Sequence, residues 1–212
     1  MNDRIDYILE QTQKILAIDS PTGFTSRAAE YVMDEYRRLG YSPALTNKGG
    51  VLVCVSEGDG RAPERPEDGP ILLEAHIDTL GAMVSEVCAN GRLAVTPLGG
   101  MNPNNAEAEN CRIYTREDKV YTGTFQLKNA SVHVNGDYNS TSRSYGTMEV
   151  VLDEEIDDRQ GAPDLGILPG DAVCFDPRTV LTPSGYLKSR FLDDKLSVGI
   201  LLGYAAYLKE EN

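Results

Sequence analysis

The sequence predicts an α/β domain interrupted by a small β-barrel-like domain, and three observations carry that prediction. Helical spacing of apolar residues occurs up to about Gly40 and again from Asp193 onward. Between them lies the apolar run Ile71-Leu72-Leu73-Glu74-Ala75, which lacks alternation and suits a central strand covered on both faces. From Gly81 to about Gly170 the helical period is absent, and short strand-like runs recur between turns. Helices and buried strands together indicate an α/β layer architecture.

Each element can be justified in order. Ile5, Ile8, Leu9, Ile15 and Leu16 give an amphipathic helix ending near Asp19-Ser20-Pro21. Ser20-Pro21-Thr22-Gly23 is a turn, and Thr25 or Ser26 caps a second helix with Ala29, Val32, Met33 and Tyr36 inward. Gly40 stops it. Strands are expected at Tyr41 to Thr46 and Val51 to Val55, and residues 56–70, polar and rich in Gly and Pro, read as a loop. Ala82 to Val87, the turn Asn90-Gly91 and Arg92 to Val95 read as a β-hairpin. Further strands are expected at Cys111 to Thr115, Lys119 to Phe125, Ser131 to Val134 and Met148 to Leu152. Near Leu168 to Phe175 the chain is expected to return to the α/β domain. Leu196, Ile200, Leu201 and Tyr204 then mark a last helix. The expected division is therefore 1–81 with 168–212 for the α/β domain and 82–167 for the inserted one.

The composition, 41% hydrophobic and 25% charged over 212 residues, is that of an ordinary globular protein. A net charge of −13 argues against nucleic acid or an anionic membrane as a partner. Cys54, Cys88, Cys111 and Cys174 are scattered without a CxxC pair, so buried free thiols in a reducing compartment are expected. No signal peptide pattern opens the chain and no apolar run approaches spanning length, so a cytoplasmic protein is expected.

His76 and His133 are the two histidines. His76 stands where an apolar strand meets a loop, and Asp78, two residues on, shares its side of the strand. A carboxylate there can accept the second imidazole N–H and fix the ring's tautomer, as carboxylates do for metal-bound histidines. His133 has no local carboxylate and reads as structural or pocket-lining. Asp193-Asp194 opens the last helix, where one carboxylate suffices as a cap and two repel unless a cation such as Lys195 or Arg190 stands near. A His and a carboxylate 117 residues apart (193 − 76) are the beginning of a metal site. Gly49-Gly50 and Gly99-Gly100 lack phosphate-loop spacing, and no GxSxG or Cys-His constellation suggests a covalent nucleophile.

Ala75-His76-Ile77-Asp78-Thr79-Leu80-Gly81-Ala82-Met83-Val84 resembles the AHxDExGfmV segment of the tetrahedral (TET) and glutamyl aminopeptidase family, some of whose members carry the name endoglucanase. Pro97-Leu98-Gly99-Gly100, Gly166 to Val173, Phe175-Asp176-Pro177 and Ser189 to Lys195 resemble further segments of that family in order, as does Ser20-Pro21-Thr22-Gly23. The resemblance implies a cytosolic two-metal aminopeptidase: a zinc-exopeptidase-like α/β domain with an inserted β domain that serves oligomer assembly and substrate access. It implies His76 as a terminal metal ligand, Asp193 as a carboxylate bridging two ions, and Asp78 as the catalytic-site carboxylate that orients His76. Two divalent ions (zinc, cobalt or manganese), peptide substrates and a homo-oligomer built from dimers toward a tetrahedral dodecamer are implied likewise.

The sequence departs from that pattern at Thr79, where the family often has Glu, and at Lys195, where it often has Arg. The family's later Glu-Glu pair, a further carboxylate and a late His have no counterpart in these 212 residues. The chain is therefore expected to be an N-terminal portion, inactive alone and holding metal partly or not at all, since a catalytic zinc usually takes three protein ligands. A non-catalytic relative acting as an assembly or binding module is the alternative expectation. Without the resemblance, a small-molecule-binding α/β protein with a structural His76 would remain.

Overall fold

A computed structural model describes residues 3–55 and 71–211. The loop expected at residues 56–70 lies outside the described residues. The chain forms two compact units, one of residues 1–20, 25–78 and 177–212, the other of residues 21–24 and 79–176.

The first unit is helical on one side. Helices α1 (Asp3–Leu16), α2 (Ser26–Arg38) and α4 (Leu192–Glu211), the last following a short α3 (Gly161–Asp164) that belongs to the other unit, enclose a core of Ile15, Val32, Tyr36, Val198, Leu202 and Ala205. Buried positions on α2 recur as Ala28, Ala29, Val32, Glu35 and Tyr36, the three- and four-residue spacing of an inward stripe. Gly40, at φ +85°, ends α2: its N–H and that of Tyr41 reach back to the carbonyls of Arg37 and Tyr36. Helices α1 and α4 approach closely because α4 presents glycines. A Cβ on Gly199 would lie 2.1 Å from Thr12 Oγ1, and one on Gly203 2.2 Å from Ile8 Cγ1.

Two short antiparallel pairs belong to this unit: β1 (Ala44–Leu45) with β2 (Val51–Leu52), and β9 (Val180–Leu181) with β10 (Leu187–Lys188). Val51, Val53 and Val55 pack on the helical core, as do Ala75 and Ile77, whereas Leu52 and Cys54 are exposed. One face of these segments is covered. The expectation of a central strand buried on both sides at Ile71–Ala75 is thus corrected. Ile71 is 87% and Leu72 71% exposed, and the segment carries no strand assignment. An apolar run is buried only where neighbours exist to bury it, and among the described residues none lies over this outer face.

The second unit is a closed six-stranded antiparallel barrel of β3 (Gly81–Val87), β4 (Leu93–Leu98), β5 (Glu109–Tyr114), β6 (Val120–Leu127), β7 (Met148–Leu152) and β8 (Ala172–Phe175). Their order around the barrel is β3-β4-β7-β6-β5-β8, with β8 pairing back to β3. The hairpin β3–β4 turns at Asn90-Gly91, Gly91 taking φ +77° as the tight turn requires. Alternate residues of β6, Gly123, Phe125 and Leu127, point inward, and Phe125 meets Phe175 edge to face at 5.6 Å. Buried Glu149 on β7 is matched by Arg92 at 2.7 Å.

Two expectations change here. Leu168 to Phe175 does not return to the α/β domain: every residue of β8 is buried, and its ladders to β3 and β5 close the barrel. Ser131 to Val134 is a turn, not a strand, and all four residues are exposed. His133 is therefore a surface residue, not packed in the core. Cys111 and Cys174 are buried, Cys88 is partly covered and Cys54 is exposed, and none of the four forms a disulfide. No helix among the described residues is long and apolar enough to cross a membrane.

Candidate metal centre

Along Ala75-His76-Ile77-Asp78, packed and open side chains take turns. Ala75 and Ile77 turn to the helices, which throws His76 onto the open face. Its Nδ1 lies 3.0 Å from Asp78 Oδ1 and 3.2 Å from the Asp78 carbonyl oxygen. Its Nε2 lies 3.2 Å from Asp193 Oδ1. The structure thus brings together the three residues the sequence singles out: His76, Asp78 and Asp193.

Asp193 reaches His76 because it is not yet helical. At φ −86°, ψ 104° it is extended, and Asp194 (φ −123°, ψ 25°) lies outside the helical region too; a cis peptide bond joins them. The regular turns of α4 begin after the pair, so Asp193 is not the simple first-turn cap considered from the sequence. Its side chain is 95% exposed and that of His76 55%, leaving both open to an ion from solvent.

The electrostatics of the pair follow from its geometry. With Nδ1–H donated to Asp78, the Nε2 lone pair faces a carboxylate oxygen, an arrangement that repels unless a cation lies between them. A proton serves, and the His76 pKa is accordingly raised. Burial pulls it down, but the Asp78 carbonyl and the carboxylates of Asp78 and Asp193 outweigh that. A metal ion would serve equally: with zinc bonds of about 2.0–2.1 Å to nitrogen and 2.0–2.2 Å to oxygen, a tetrahedral angle would separate the two atoms by about 3.3–3.5 Å. The observed 3.2 Å fits two adjacent vertices of one coordination shell. Among the described residues, no group of three or more His, Cys, Asp and Glu side chains could hold an ion. The residues present therefore fit part of a shell.

Two buried polar side chains flank the pair, Ser20 and Lys195. The sequence offers Lys195 as a countercharge for the aspartates; its Nζ in fact donates to the carbonyls of Ile15 and Ile18. Nothing in the sequence marks these two as buried, because the groups that cover them belong to distant elements.

Residues 59–212 match the family described as M42 glutamyl aminopeptidase. The chain is 40% identical over 194 residues to the Bacillus subtilis (strain 168) protein named "Putative aminopeptidase YhfE", covering 92% of this chain and 54% of that protein. Among solved structures, a TET aminopeptidase from the marine sediment archaeon Thaumarchaeota archaeon SCGC AB-539-E09 superposes with a TM-score of 0.80 at 16% identity, over 98% of this chain and 55% of that one. The TET1 peptidase of Pyrococcus horikoshii does so with a TM-score of 0.77 at 19% identity, over 96% and 57%. At such identities the likeness is one of fold. The chain spans about half the length of the curated relatives it matches.

Proposed function

The chain belongs to the M42 glutamyl aminopeptidase family, and from that membership we propose that it carries the first part of a metal-dependent aminopeptidase site, one that removes N-terminal residues from peptides. The observation supporting this most directly is the approach of His76 Nε2 to Asp193 Oδ1 at 3.2 Å, on exposed side chains whose facing atoms call for a cation between them. His76 would hold one divalent ion as a terminal ligand, and Asp193, with two carboxylate oxygens, would serve two, the ions being zinc, cobalt or manganese. Asp78 accepts the Nδ1 proton and so holds the ring with Nε2 free for a metal. Divalent ions held there supply Lewis acidity toward a peptide carbonyl and toward water.

His76 and Asp193 are two ligands, fewer than the three a catalytic zinc usually takes. The 212-residue chain alone is therefore inactive. The β unit mediates assembly into a homo-oligomer, dimers building toward a tetrahedral dodecamer. The Pyrococcus horikoshii relative, named for assembly into a tetrahedron or a large octahedral shell, supports that reading by analogy of fold. The protein works in the cytoplasm.

The test joins the chain to the remaining half of its Bacillus subtilis relative and assays hydrolysis of aminoacyl p-nitroanilides with Zn²⁺ or Co²⁺. The hybrid should turn over, and His76→Ala or Asp193→Ala should abolish turnover; an active His76→Ala hybrid would overturn the ligand assignment. The 212-residue chain itself should show none. Turnover by it would refute the claim that its ligand set is incomplete.

A further inference from the structure

We propose that Lys195 and Ser20 are positioning residues that fix the separation of His76 and Asp193 by bracketing both to the turn that ends α1; this rests on reading His76 and Asp193 as metal ligands. Lys195 lies two residues beyond Asp193, on the first regular turn of α4, and is 1% exposed. Its Nζ donates to Ile15 O at 2.9 Å and Ile18 O at 2.6 Å. Helix C-terminal carbonyls lack intrahelical partners and carry partial negative charge, so an ammonium is held there by both charge and hydrogen bonding. On the same turn Ser20 is fully buried, and its Oγ donates to Ile77 O at 2.7 Å, one residue from His76. Residues 15–20 thus hold the Lys195 side chain beside one ligand and the Ile77 backbone beside the other.

The consequence is positional. Asp193 is extended and exposed, so the turn bearing it has little packing of its own to hold it. Burial of Lys195 anchors that turn at its next link. Without the bracket, the carboxylate and the imidazole keep their chemistry but lose their fixed separation, and a shared ion then binds more weakly.

The chain's two histidines make the test site-specific: Zn²⁺ is titrated into the 212-residue chain while ring-proton NMR signals are followed, with exposed His133 as the internal reference. Wild type should show a saturable response at His76 that Asp193→Asn weakens. Lys195→Met should weaken binding at His76 by about 10–100-fold, the range found when groups supporting metal ligands are removed. Lys195→Arg, which retains charge and donors, should restore it; a merely structural role predicts altered melting with unaltered affinity. Unaltered affinity in both folded Lys195→Met and Ser20→Ala overturns the bracket. Should Lys195→Met not fold, Ser20→Ala decides by the same criterion. If wild type shows no His76 response, the titration is repeated on the hybrid with the remaining half of the Bacillus subtilis relative, and Zn²⁺ affinity there that is unchanged by His76→Ala overturns the metal reading, and the bracket with it.

Discussion

The tight crossing of α1 and α4 makes Gly199→Ala a sharp test of the packing. Alanine exceeds glycine in helix propensity by about 1 kcal/mol, so an exposed site would gain stability. Here the new methyl would sit 2.1 Å from Thr12 Oγ1, short of ordinary contact at 3.4 Å by 1.3 Å (3.4 − 2.1). Two routes relieve it. Thr12, fully buried, can rotate and give up its 2.8 Å bond to Ile8 O, leaving a buried hydroxyl unsatisfied at about 1–3 kcal/mol. Alternatively the helices separate, loosening Gly203 against Ile8, and overpacking of this kind costs about 1–3 kcal/mol. Either way the net effect, after the propensity gain, is a loss of up to about 2 kcal/mol. Urea unfolding reads it as a lower midpoint at unchanged slope. Thr12→Ala removes the clashing oxygen and leaves Cβ at 3.2 Å, so in the double variant the two changes should couple favourably by about 1 kcal/mol. A stabilised Gly199→Ala, or additivity within about 0.5 kcal/mol, would refute the close crossing.

Thiol chemistry and a surface turn supply two further checks. Burial, with Asp153 adding to it, pushes the Cys111 thiol from its ordinary 9.0 up to about 12. In mildly alkaline buffer iodoacetamide should therefore label Cys54 and spare Cys111 in the folded chain, and mass spectrometry of the peptides decides. The same burial contributes stability that is present below about pH 9, where the unfolded thiol ionises, and is lost as pH rises toward 12. Cys111→Ala should flatten part of that fall, and an unchanged alkaline profile would contradict it. Arg143 forks onto Glu107 (Nε to Oε2 2.9 Å, Nη2 to Oε1 3.0 Å) and donates through Nη1 to the carbonyls of Tyr138 and Thr141. Arg143→Ala should expose residues 135–144 to limited proteolysis, and Lys should not rescue it because the planar fork is lost. Equal protease resistance in Arg143→Ala would mean the turn is held by other means.

The barrel was legible because its signals are local. Alternation survives in β6, the Asn90-Gly91 pair specifies its own turn, and Met148–Leu152 is read to the residue. Where cover must come from a distant element, the same signals mislead. Val51, Val53 and Val55 are inward and Leu52 outward, but apolar residues on both faces conceal the alternation, and Ile71-Leu72-Leu73 reads as buried while standing open. Ser131-Val132-His133-Val134 has strand-like composition but no ladder partner, and its backbone closes into turns. The residue types at the candidate site were evident from two short motifs. Their 3.2 Å separation was not, because the groups that fix it, at Ile15, Ile18 and Ser20, precede both motifs and carry no chemistry of their own.

That bracket also bears on how such a chain tolerates change. The barrel strands enter the sequence after Asp78 and leave it before Pro177, whereas the bonds from Ser20 to Ile77 and from Lys195 to Ile15 and Ile18 lie within the helical unit. Lengthening or shortening a barrel hairpin removes none of the atoms in those bonds. The few residues at the end of α1 act as a gauge whose length sets whether the pair can meet.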